Sequence, residues 1–298
     1  MDGFLIIDKP AGWTSHDVVA RVRRLAGQKR VGHTGTLDPD ATGVLLVCLG
    51  AATRLIEYID DFHKSYRATM ALGVETDSED ASGVITCVRS AADITAAALN
   101  AALPAFRGEI EQIPPMVSAV HHDGKRLYEL ARAGVTVERK PRPVTIYRLA
   151  ASDFGPGEIA RATLCVECSS GTYVRTLCAD IGTALGVGGH METLRRTAVG
   201  PFTEADAIPL DSLDNANIGA VIRPAMDLVP GDWPVIECSA ELETALRHGR
   251  RIPAASEADF AMALADGSLL AVLRRDGDQW QPAKVFPRND PDAKGGGA

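Results

Sequence analysis

One carboxylate of this sequence stands in a setting that suits chemistry. Asp38 directly precedes a proline, lies among Gly32, Gly35 and Gly43, and is followed by the apolar run 44–47. A residue before proline is pushed toward extended backbone, and glycines permit tight turns and the close approach of another molecule. A lone Asp-Pro pair usually forms only a turn. This longer segment, rich in glycine and threonine, favours a carboxylate held rigidly at the mouth of a cleft.

Two other groups of side chains resemble metal ligands, but neither has the pattern of a metal site. Cys165 and Cys168 have the spacing of half a zinc site, yet no second pair follows, and a strand would point them to opposite faces. The four acidic residues between positions 75 and 80 do not match an EF-hand and indicate a solvated turn. Phosphate-binding loops, nucleophile elbows and metalloprotease motifs are also missing from the sequence. We therefore predict neither a metal nor a cofactor.

The elements that must position Asp38 are predicted from periodicity. Thr14 with Asp17 resembles a capping box, and apolar residues at helical spacing follow until Gly27. Further helices are predicted over 93–106, with a break near its proline, and from Val174 to Leu185. Strands are predicted over 4–7, 44–49, 66–72, 144–149 and 162–168, of which 66–72 alternates as a half-exposed strand. Strands and helices mix without a regular βαβ period, so we predict an α+β protein built on a mixed sheet.

A shift in composition near residue 230 divides the chain. The segment 228–234 contains two prolines and a glycine and is typical of a linker. After it, a short helix over 240–247, a strand over 269–273 and a hairpin turn at Asp276-Gly277 indicate a small β-rich module. We predict domains at 1–230 and 231–290. A disordered tail is predicted at 291–298, because this end is polar and rich in glycine.

Composition and charge narrow the cellular setting. The chain has 298 residues, 46% hydrophobic content and six cysteines, which is ordinary for a globular protein with reduced thiols. The sequence shows neither a signal peptide nor an apolar run long enough to span a bilayer, so we predict a cytoplasmic protein without a membrane partner. The net charge of −8 opposes nucleic-acid binding at long range.

A basic island interrupts this acidic chain between His121 and Arg148. Seven lysines and arginines stand there against three acidic residues. Composition alone favours a solvated charged face over a phosphate-binding surface.

The segment VGHTGTLDPDATGVLLV, which contains Asp38, resembles the signature of the bacterial TruB-type tRNA pseudouridine synthases. Four further segments resemble the family in the expected order: IIDKPAGWTSHDVV at 6–19, KSYRATMALGVETDSED at 64–80, IPPMVSAVHHDGKRLYELARAG at 113–134 and CSSGTYVRTLCADIG at 168–182. The resemblance spans residues 1 to about 230, and the module after it resembles a PUA-type RNA-binding domain. It implies a mixed-sheet pseudouridine synthase catalytic domain with an RNA-gripping insertion at about 113–148.

The resemblance also assigns roles residue by residue. Asp38 falls on the catalytic aspartate, Arg175 on the arginine that pairs with it, and Tyr66 on the tyrosine that stacks on the target base and could assist with its C5 proton. Leu194 matches an apolar wall of the uracil pocket, and His33 matches the histidine that enters the space left by the flipped uridine. Spacing alone would make Tyr66 a core tyrosine of a strand and Arg175 a surface arginine at the start of a helix.

The implied reaction converts uridine 55 in the T loop of tRNA to pseudouridine. It breaks the C1′–N1 bond, rotates the uracil and joins C1′ to C5. A carboxylate can attack C1′ or remove a proton from C2′, and the sequence does not choose between the two. The insertion closes over the RNA in this family, so Lys125, Arg126 and Arg132 become candidate phosphate ligands. We expect the T stem-loop of tRNA as the partner, no cofactor, no obligatory protein partner and a monomer.

Three rival interpretations remain open. A non-enzymatic RNA-binding or RNA-folding protein could use the same cleft, but the joint presence of Asp38, Tyr66 and Arg175 opposes it. A glycosidase would normally need two catalytic carboxylates. The related guide-RNA-dependent enzymes share the aspartate loop, whereas the insertion and the histidine of GHTGTLDP resemble the standalone bacterial form.

Overall fold

The computed structural model describes residues 1–59, 62–116, 121–122, 125–126, 135 and 137–287. Its strands are β1 (Gly3–Lys9), β2 (Val31–His33), β3 (Thr42–Leu49), β4 (Lys64–Leu72), β5 (Val74–Thr76), β6 (Ile85–Val88), β7 (Gly108–Gln112), β8 (His121–His122), β9 (Lys125–Arg126), β10 (Arg142–Gly155), β11 (Ala160–Cys168), β12 (Gly189–Val199), β13 (Phe202–Thr203), β14 (Ile208–Pro209), β15 (Val235–Glu237), β16 (Ile252–Pro253), β17 (Phe260–Ala265), β18 (Ser268–Asp276) and β19 (Gln279–Val285). Its α-helices are α1 (Ser15–Ala26), α2 (Ile56–Ile59), α3 (Ala96–Ala102), α4 (Val174–Ala184) and α5 (Ala240–Arg247). Short 3₁₀ helices cover Gly50–Leu55, Leu103–Phe106, Leu210–Ser212, Ile218–Ala220 and Ala225–Leu228.

A ten-stranded mixed sheet forms the body of the protein. Its main order is β14-β1-β3-β12-β4-β11-β10-β7, with β2 paired to β3 and β13 to β12. The β1–β14 and β3–β12 pairs are parallel and the other pairs are antiparallel. The parallel contact between β3 and β12 joins distant parts of the chain at the centre of the sheet. The predicted α+β fold with a mixed sheet is confirmed.

Helix α1 begins and ends where the sequence predicts. The Thr14 hydroxyl accepts from the Asp17 N–H at 3.1 Å, and the Asp17 carboxylate accepts from the Thr14 N–H at 3.0 Å, which completes the capping box. Gly27 ends the helix with a φ of 60°, a left-handed conformation that glycine adopts without strain. Three buried valines of α1 pack against β1 and β3.

Two predicted elements differ in the structure. The prediction of a half-exposed strand at 66–72 is wrong for its second half, because β4 lies between β12 and β11 and is almost wholly buried from Ala68 to Leu72. The helix predicted over 93–106 begins only at α3, where the Thr95 hydroxyl accepts from the Ala98 N–H at 3.1 Å. It continues as a 3₁₀ turn because Pro104 has no N–H to donate.

The C-terminal residues form a separate five-stranded sheet in the order β15-β17-β18-β19-β16, accompanied by α5. This sheet has its own apolar cluster around Trp280. It also contacts the main body, since Trp233 stacks on Phe260 at 5.0 Å and Tyr58 meets both rings edge-on at 5.4 Å. The predicted linker at 228–234 is therefore packed against the body. The domain boundaries at 230 and 290 stay predictions, and the tail at 291–298 lies outside the described residues.

None of the helices in the described ranges combines the length and apolarity that a bilayer crossing requires.

Candidate active site

Asp38 lies in the loop that joins β2 to β3. Arg196 of β12 is buried and holds both this loop and the strand that follows it: its Nη2 donates to the Gly35 carbonyl in the loop at 3.2 Å and its Nε to the Val44 carbonyl of β3 at 2.7 Å. Gly43 of β3 has a φ of 100°, and a Cβ there would lie 2.1 Å from the carbonyl oxygen of Arg196. A glycine is required at this position because the start of β3 lies directly against β12.

Two buried side chains near the N-terminus hold the backbone on either side of the candidate carboxylate. The Lys9 ammonium donates to the Pro39 carbonyl at 2.8 Å and to two carbonyls of the 10–13 turn at 2.8 and 2.6 Å. The Ser15 hydroxyl accepts from the Leu37 N–H at 2.9 Å. Burial lowers the pKa of Lys9 to about 8, although nearby carboxylates oppose the shift. The loop backbone is thus anchored to β1 and α1 without help from a substrate.

Replacing Lys9 with methionine tests this anchoring. The change keeps an unbranched apolar side chain but removes the ammonium group and leaves buried carbonyl groups without a donor, so we expect the free energy of unfolding in urea to fall by about 3–5 kcal/mol. Lys29→Met, at an exposed position, serves as the matched control and should change it by less than about 0.5 kcal/mol. A loss below about 1 kcal/mol for Lys9→Met would contradict a structural role for the three hydrogen bonds.

Arg175, in the first turn of α4, joins two carboxylates. Its Nη2 lies 3.1 Å from Asp38 Oδ1 and its Nη1 lies 3.2 Å from Asp80 Oδ2. The guanidinium side chain is 6% exposed, whereas the side chain of Asp38 is 37% exposed and that of Asp80 15%. The start of α4 is held by Gln112, whose amide donates to the Tyr173 carbonyl and accepts from its N–H. The arginine therefore connects a partly exposed carboxylate with a mostly buried one.

The surroundings move the pKa values of the two carboxyl groups in opposite directions. Burial raises the pKa of Asp38, and the charge of Asp80 adds to this rise while Arg175 opposes it. Burial alone would also raise the pKa of Asp80, but hydrogen bonds from Ser82 and Ser78, together with Arg175, hold it below its ordinary value. Asp80 therefore carries the negative charge that balances Arg175, whereas Asp38 has the higher pKa of the two carboxyl groups and binds a proton more readily.

Tyr66 and Leu194 both pack against the apolar cluster on the face of the sheet that α4 covers, and Leu194 is paired with Ala68, two residues along β4 from Tyr66. Tyr66 is directly opposite Arg196 in the pairing of β4 with β12. Burial raises the pKa of Tyr66, the nearby guanidinium of Arg196 acts to lower it, and the charge of Asp38 acts in the same direction as burial. The phenol is therefore neutral near pH 7, and Asp38 is close enough for its charge to affect the pKa of Tyr66.

His33 ends β2 at the entrance of the Asp38 loop. Its ring contacts the ring of His16 edge-on, with the centroids 5.4 Å apart. The structure therefore brings Asp38, Arg175 and Tyr66 together, with Leu194 beside Tyr66 and His33 at the start of the same loop.

The predicted RNA-gripping residues are only partly described. Lys125 and Arg126 form β9, which pairs with β8 in a short hairpin. Their side chains, and the whole of Arg132, lie outside the described residues. At the base of the insertion, Arg139 Nη1 donates to the Pro114 carbonyl at 3.0 Å and so ties the outgoing chain to the incoming chain. The phosphate-binding role of the island stays a prediction.

Sequence reasoning missed three residues of this site. The solvated turn predicted at 75–80 is wrong for Asp80, which is mostly buried and paired with Arg175; its presence in the family-like segment 64–80 was an available signal. Lys9 and Arg196 carry charges, and charged residues are usually exposed. Arg196 is buried against carbonyls far along the chain, and Lys9 donates both to the neighbouring 10–13 turn and to the distant Pro39 carbonyl.

The two cysteines with zinc-like spacing point to opposite faces of β11, as predicted, since Cys165 is exposed and Cys168 buried. In the part of the chain that the structure describes, no three His, Cys, Asp or Glu side chains gather into a metal-binding group.

Comparison with solved structures defines the class of the protein. A crystal structure of a Cbf5–Nop10–Gar1 complex matches with a TM-score of 0.71 and 27% identity, covering 96% of this chain and 85% of that chain. A structure of an H/ACA RNP bound to a substrate RNA containing 2′-deoxyuridine matches with a TM-score of 0.70 and 25% identity, covering 96% and 86%. Both matches cover nearly the whole chain, so its mixed α+β fold is that of a pseudouridine synthase.

Family models and curated relatives then identify the family. Models described as TruB family pseudouridylate synthase (N terminal domain), tRNA pseudouridylate synthase B C-terminal domain, and tRNA pseudouridine synthase II, C terminal match residues 23–174, 175–225 and 233–287. A protein of Thermobifida fusca named tRNA pseudouridine synthase B is 46% identical over 96% of this chain and 98% of its own length. One of the same name from Symbiobacterium thermophilum is 51% identical over 84% and 82%. The chain belongs to the TruB family of pseudouridylate synthases and is an enzyme of the isomerase class.

Proposed function

We propose that this enzyme converts uridine 55 in the T loop of tRNA to pseudouridine, with Asp38 as the reacting carboxylate. The relatives named tRNA pseudouridine synthase B support tRNA as the substrate class. The observation that carries the proposal is the bridge from Arg175 to Asp38 and Asp80, because it aims a partly exposed carboxylate into a cleft beside Tyr66.

The reaction rearranges bonds within one nucleotide. The C1′–N1 bond breaks, the uracil turns, a C1′–C5 bond forms, and a proton leaves C5 while N1 gains one. Asp38 acts either by attacking C1′ or by taking the C2′ proton, and both routes need its carboxylate to be charged. Arg175 stabilises that charge and sets the direction of the carboxylate.

The base-binding space follows from the neighbours of Asp38. The Tyr66 ring stacks on the uracil, with Leu194 as an apolar wall beside it. Since burial raises the pKa of the Tyr66 hydroxyl, it is neutral and available to help move the C5 proton. The target nucleotide must leave the stacked loop to reach this space, and His33 fills the position that it vacates.

The rest of the chain grips RNA in this proposal. The insertion at about 113–148 closes over the T stem-loop, with Lys125, Arg126 and Arg132 on its phosphates. The module at 231–290 acts as a PUA-like domain that binds tRNA away from the T loop. The enzyme works in the cytoplasm as a monomer and needs no other protein. The aromatic cluster of Tyr58, Trp233 and Phe260 would hold the C-terminal module in a fixed position against the catalytic domain.

The raised pKa of Asp38 predicts where activity is lost in acid. An aspartate titrates near pH 3.9 when unperturbed, and burial places the value in the folded enzyme above this. Since the charged form of Asp38 reacts, the single-turnover rate should fall as the pH drops through the raised pKa of this residue. This loss should occur at a higher pH than for an aspartate with an unshifted pKa. The measurement is the single-turnover rate with saturating T stem-loop RNA between about pH 4 and pH 8. A rate that is constant down to about pH 4 would contradict a shifted Asp38 as the reacting group.

The proposal is tested with the purified chain alone. An unmodified tRNA transcript is incubated with the enzyme, without guide RNA or other proteins, and digested to nucleosides for quantification. We expect close to one pseudouridine for each tRNA molecule. If no pseudouridine forms, the protein is not a standalone enzyme, and the result favours either the guide-dependent or the non-catalytic interpretation. Tight binding of tRNA without turnover would indicate the non-catalytic RNA-binding protein.

A further inference from the structure

Two exposed aromatic rings stack on each other near the active site. The centroids of His63 and Tyr147 lie 4.0 Å apart and their planes meet at 22°. Tyr147 is 46% exposed, which is high for a large aromatic residue, and His63 is exposed as well. His63 covers one face of the Tyr147 ring. Because Tyr147 is exposed, the opposite face of its ring is accessible to a flat ligand.

A β-bulge creates this arrangement. In the pairing of β10 with β11, Ile146 faces Cys168 and Arg148 faces Glu167, so Tyr147 is the extra residue of β10. Bulges redirect a side chain and often lie next to active sites. Tyr147 and Arg148 are both exposed as a result, where strict alternation would bury one of them.

The backbone of both rings is held in place. The His63 carbonyl accepts from the Gly200 N–H at 2.8 Å. On the other side, the Ser169 N–H donates to the Thr145 carbonyl at 2.9 Å, and the Thr145 N–H donates to the Ser169 hydroxyl at 2.9 Å. The stacked pair therefore presents a preformed surface.

The pair is adjacent to the catalytic cleft. Lys64 follows His63, and the Lys64 Cε would lie 3.4 Å from a Cβ placed on Gly35, within the Asp38 loop. Tyr66 stands two residues further along the same strand. On the other side, the exposed Arg148 and Arg142 of β10 supply positive charge near Tyr147.

We propose that Tyr147 and His63 form a second base-binding site, on which a nucleobase of the T loop other than the target uridine stacks. Sequence-tolerant stacking on aromatic faces is the usual way in which proteins hold unpaired bases, and nearby arginines suit the adjoining phosphates. When the target nucleotide turns into the cleft, His33 fills the space inside the loop, and an unpaired neighbouring base stacks outside it on the Tyr147 face. This inference rests on the proposed function, and it adds a specific contact outside the uracil pocket.

The test compares Tyr147→Ala with Tyr147→Phe. An unmodified T stem-loop transcript is titrated at one salt concentration, and the single-turnover rate is measured at saturating RNA. Loss of one stacked base is expected to raise the Kd about tenfold for Tyr147→Ala, while Tyr147→Phe, which keeps the ring, stays within about twofold. Val88→Ala, at an exposed site on β6, is the control and should bind like the wild type.

A series of transcripts with one abasic position each identifies the stacked base. With the wild type, one loop position outside the target should weaken binding about tenfold, and Tyr147→Ala should lose nothing further at that position. Equal Kd values for Tyr147→Ala and the wild type, equal losses for the alanine and phenylalanine variants, or additive losses at every position would each overturn the proposal. An inactive wild type would instead count against the proposed function, so the two failures are distinguishable.

Discussion

Replacing Asp38 with asparagine is expected to lower the single-turnover rate of pseudouridine formation by at least about 10³-fold while the Kd for tRNA stays within about threefold. Asparagine has the same shape and can still accept a hydrogen bond from Arg175, so the loop keeps its conformation. It cannot attack C1′ or take a proton from C2′, because it has no negative charge. The rate is measured at saturating T stem-loop RNA with enzyme in excess.

Asp40→Asn is the matched control for this variant. Asp40 lies two residues further along the same loop and is exposed, so its replacement should leave the rate within about twofold. Activity of Asp38→Asn within tenfold of the wild type, in a preparation free of wild-type enzyme, would remove Asp38 from the chemistry. Equal losses in both variants would mean that the charge of the loop matters and not the position of one carboxylate.

Replacing Arg175 with lysine should reduce the single-turnover rate by about 100-fold, although the positive charge remains. The arginine reaches Asp38 and Asp80 with different nitrogen atoms, 3.1 and 3.2 Å away. A lysine has one nitrogen and cannot span both carboxylates in that geometry. Asp38 would then lose its direction, while the Kd for RNA should change by less than about threefold because neither carboxylate is proposed to contact the RNA backbone.

Arg161 offers a control at the surface, where a guanidinium also contacts carboxylate oxygens through two of its nitrogens, although both oxygens belong to one carboxylate. Its guanidinium binds Glu192 through two nitrogens at 2.9 and 2.8 Å, and its side chain is 51% exposed. Arg161→Lys should leave the rate within about twofold, since exposed ion pairs contribute little. A loss of less than about tenfold for Arg175→Lys, equivalent to about 1.4 kcal/mol, would mean that the arginine does not orient the carboxylate.

The local elements of this fold could be predicted from the sequence, because patterns among neighbouring residues determine them. The capping box of Thr14 and Asp17 and the glycine that ends α1 have their partners within a few residues. Asp38 could be predicted for the same reason, because a proline and three glycines lie within a few residues of it in the sequence.

The features that escaped prediction depend on distant residues. Asp80 is mostly buried because Arg175, far along the chain, pairs with it. Lys9 and Arg196 each donate to a carbonyl of the distant Asp38 loop, at Pro39 and Gly35, and a periodic pattern does not signal these long-range contacts. The bulge at Tyr147 likewise arises only from the register between β10 and β11. A periodic pattern describes one strand at a time. It therefore cannot reveal that a residue such as Tyr147 has no pairing partner on the adjacent strand.

The position of the product in tRNA tests the central claim most directly. Two unmodified tRNA transcripts, one with uridine and one with cytidine at position 55, are incubated with the purified enzyme, and pseudouridine is mapped along each. We predict a single pseudouridine at position 55 of the first transcript and none in the second. A pseudouridine at another position, or an equal yield from both transcripts, would contradict the assignment of the T-loop uridine as the substrate of Asp38.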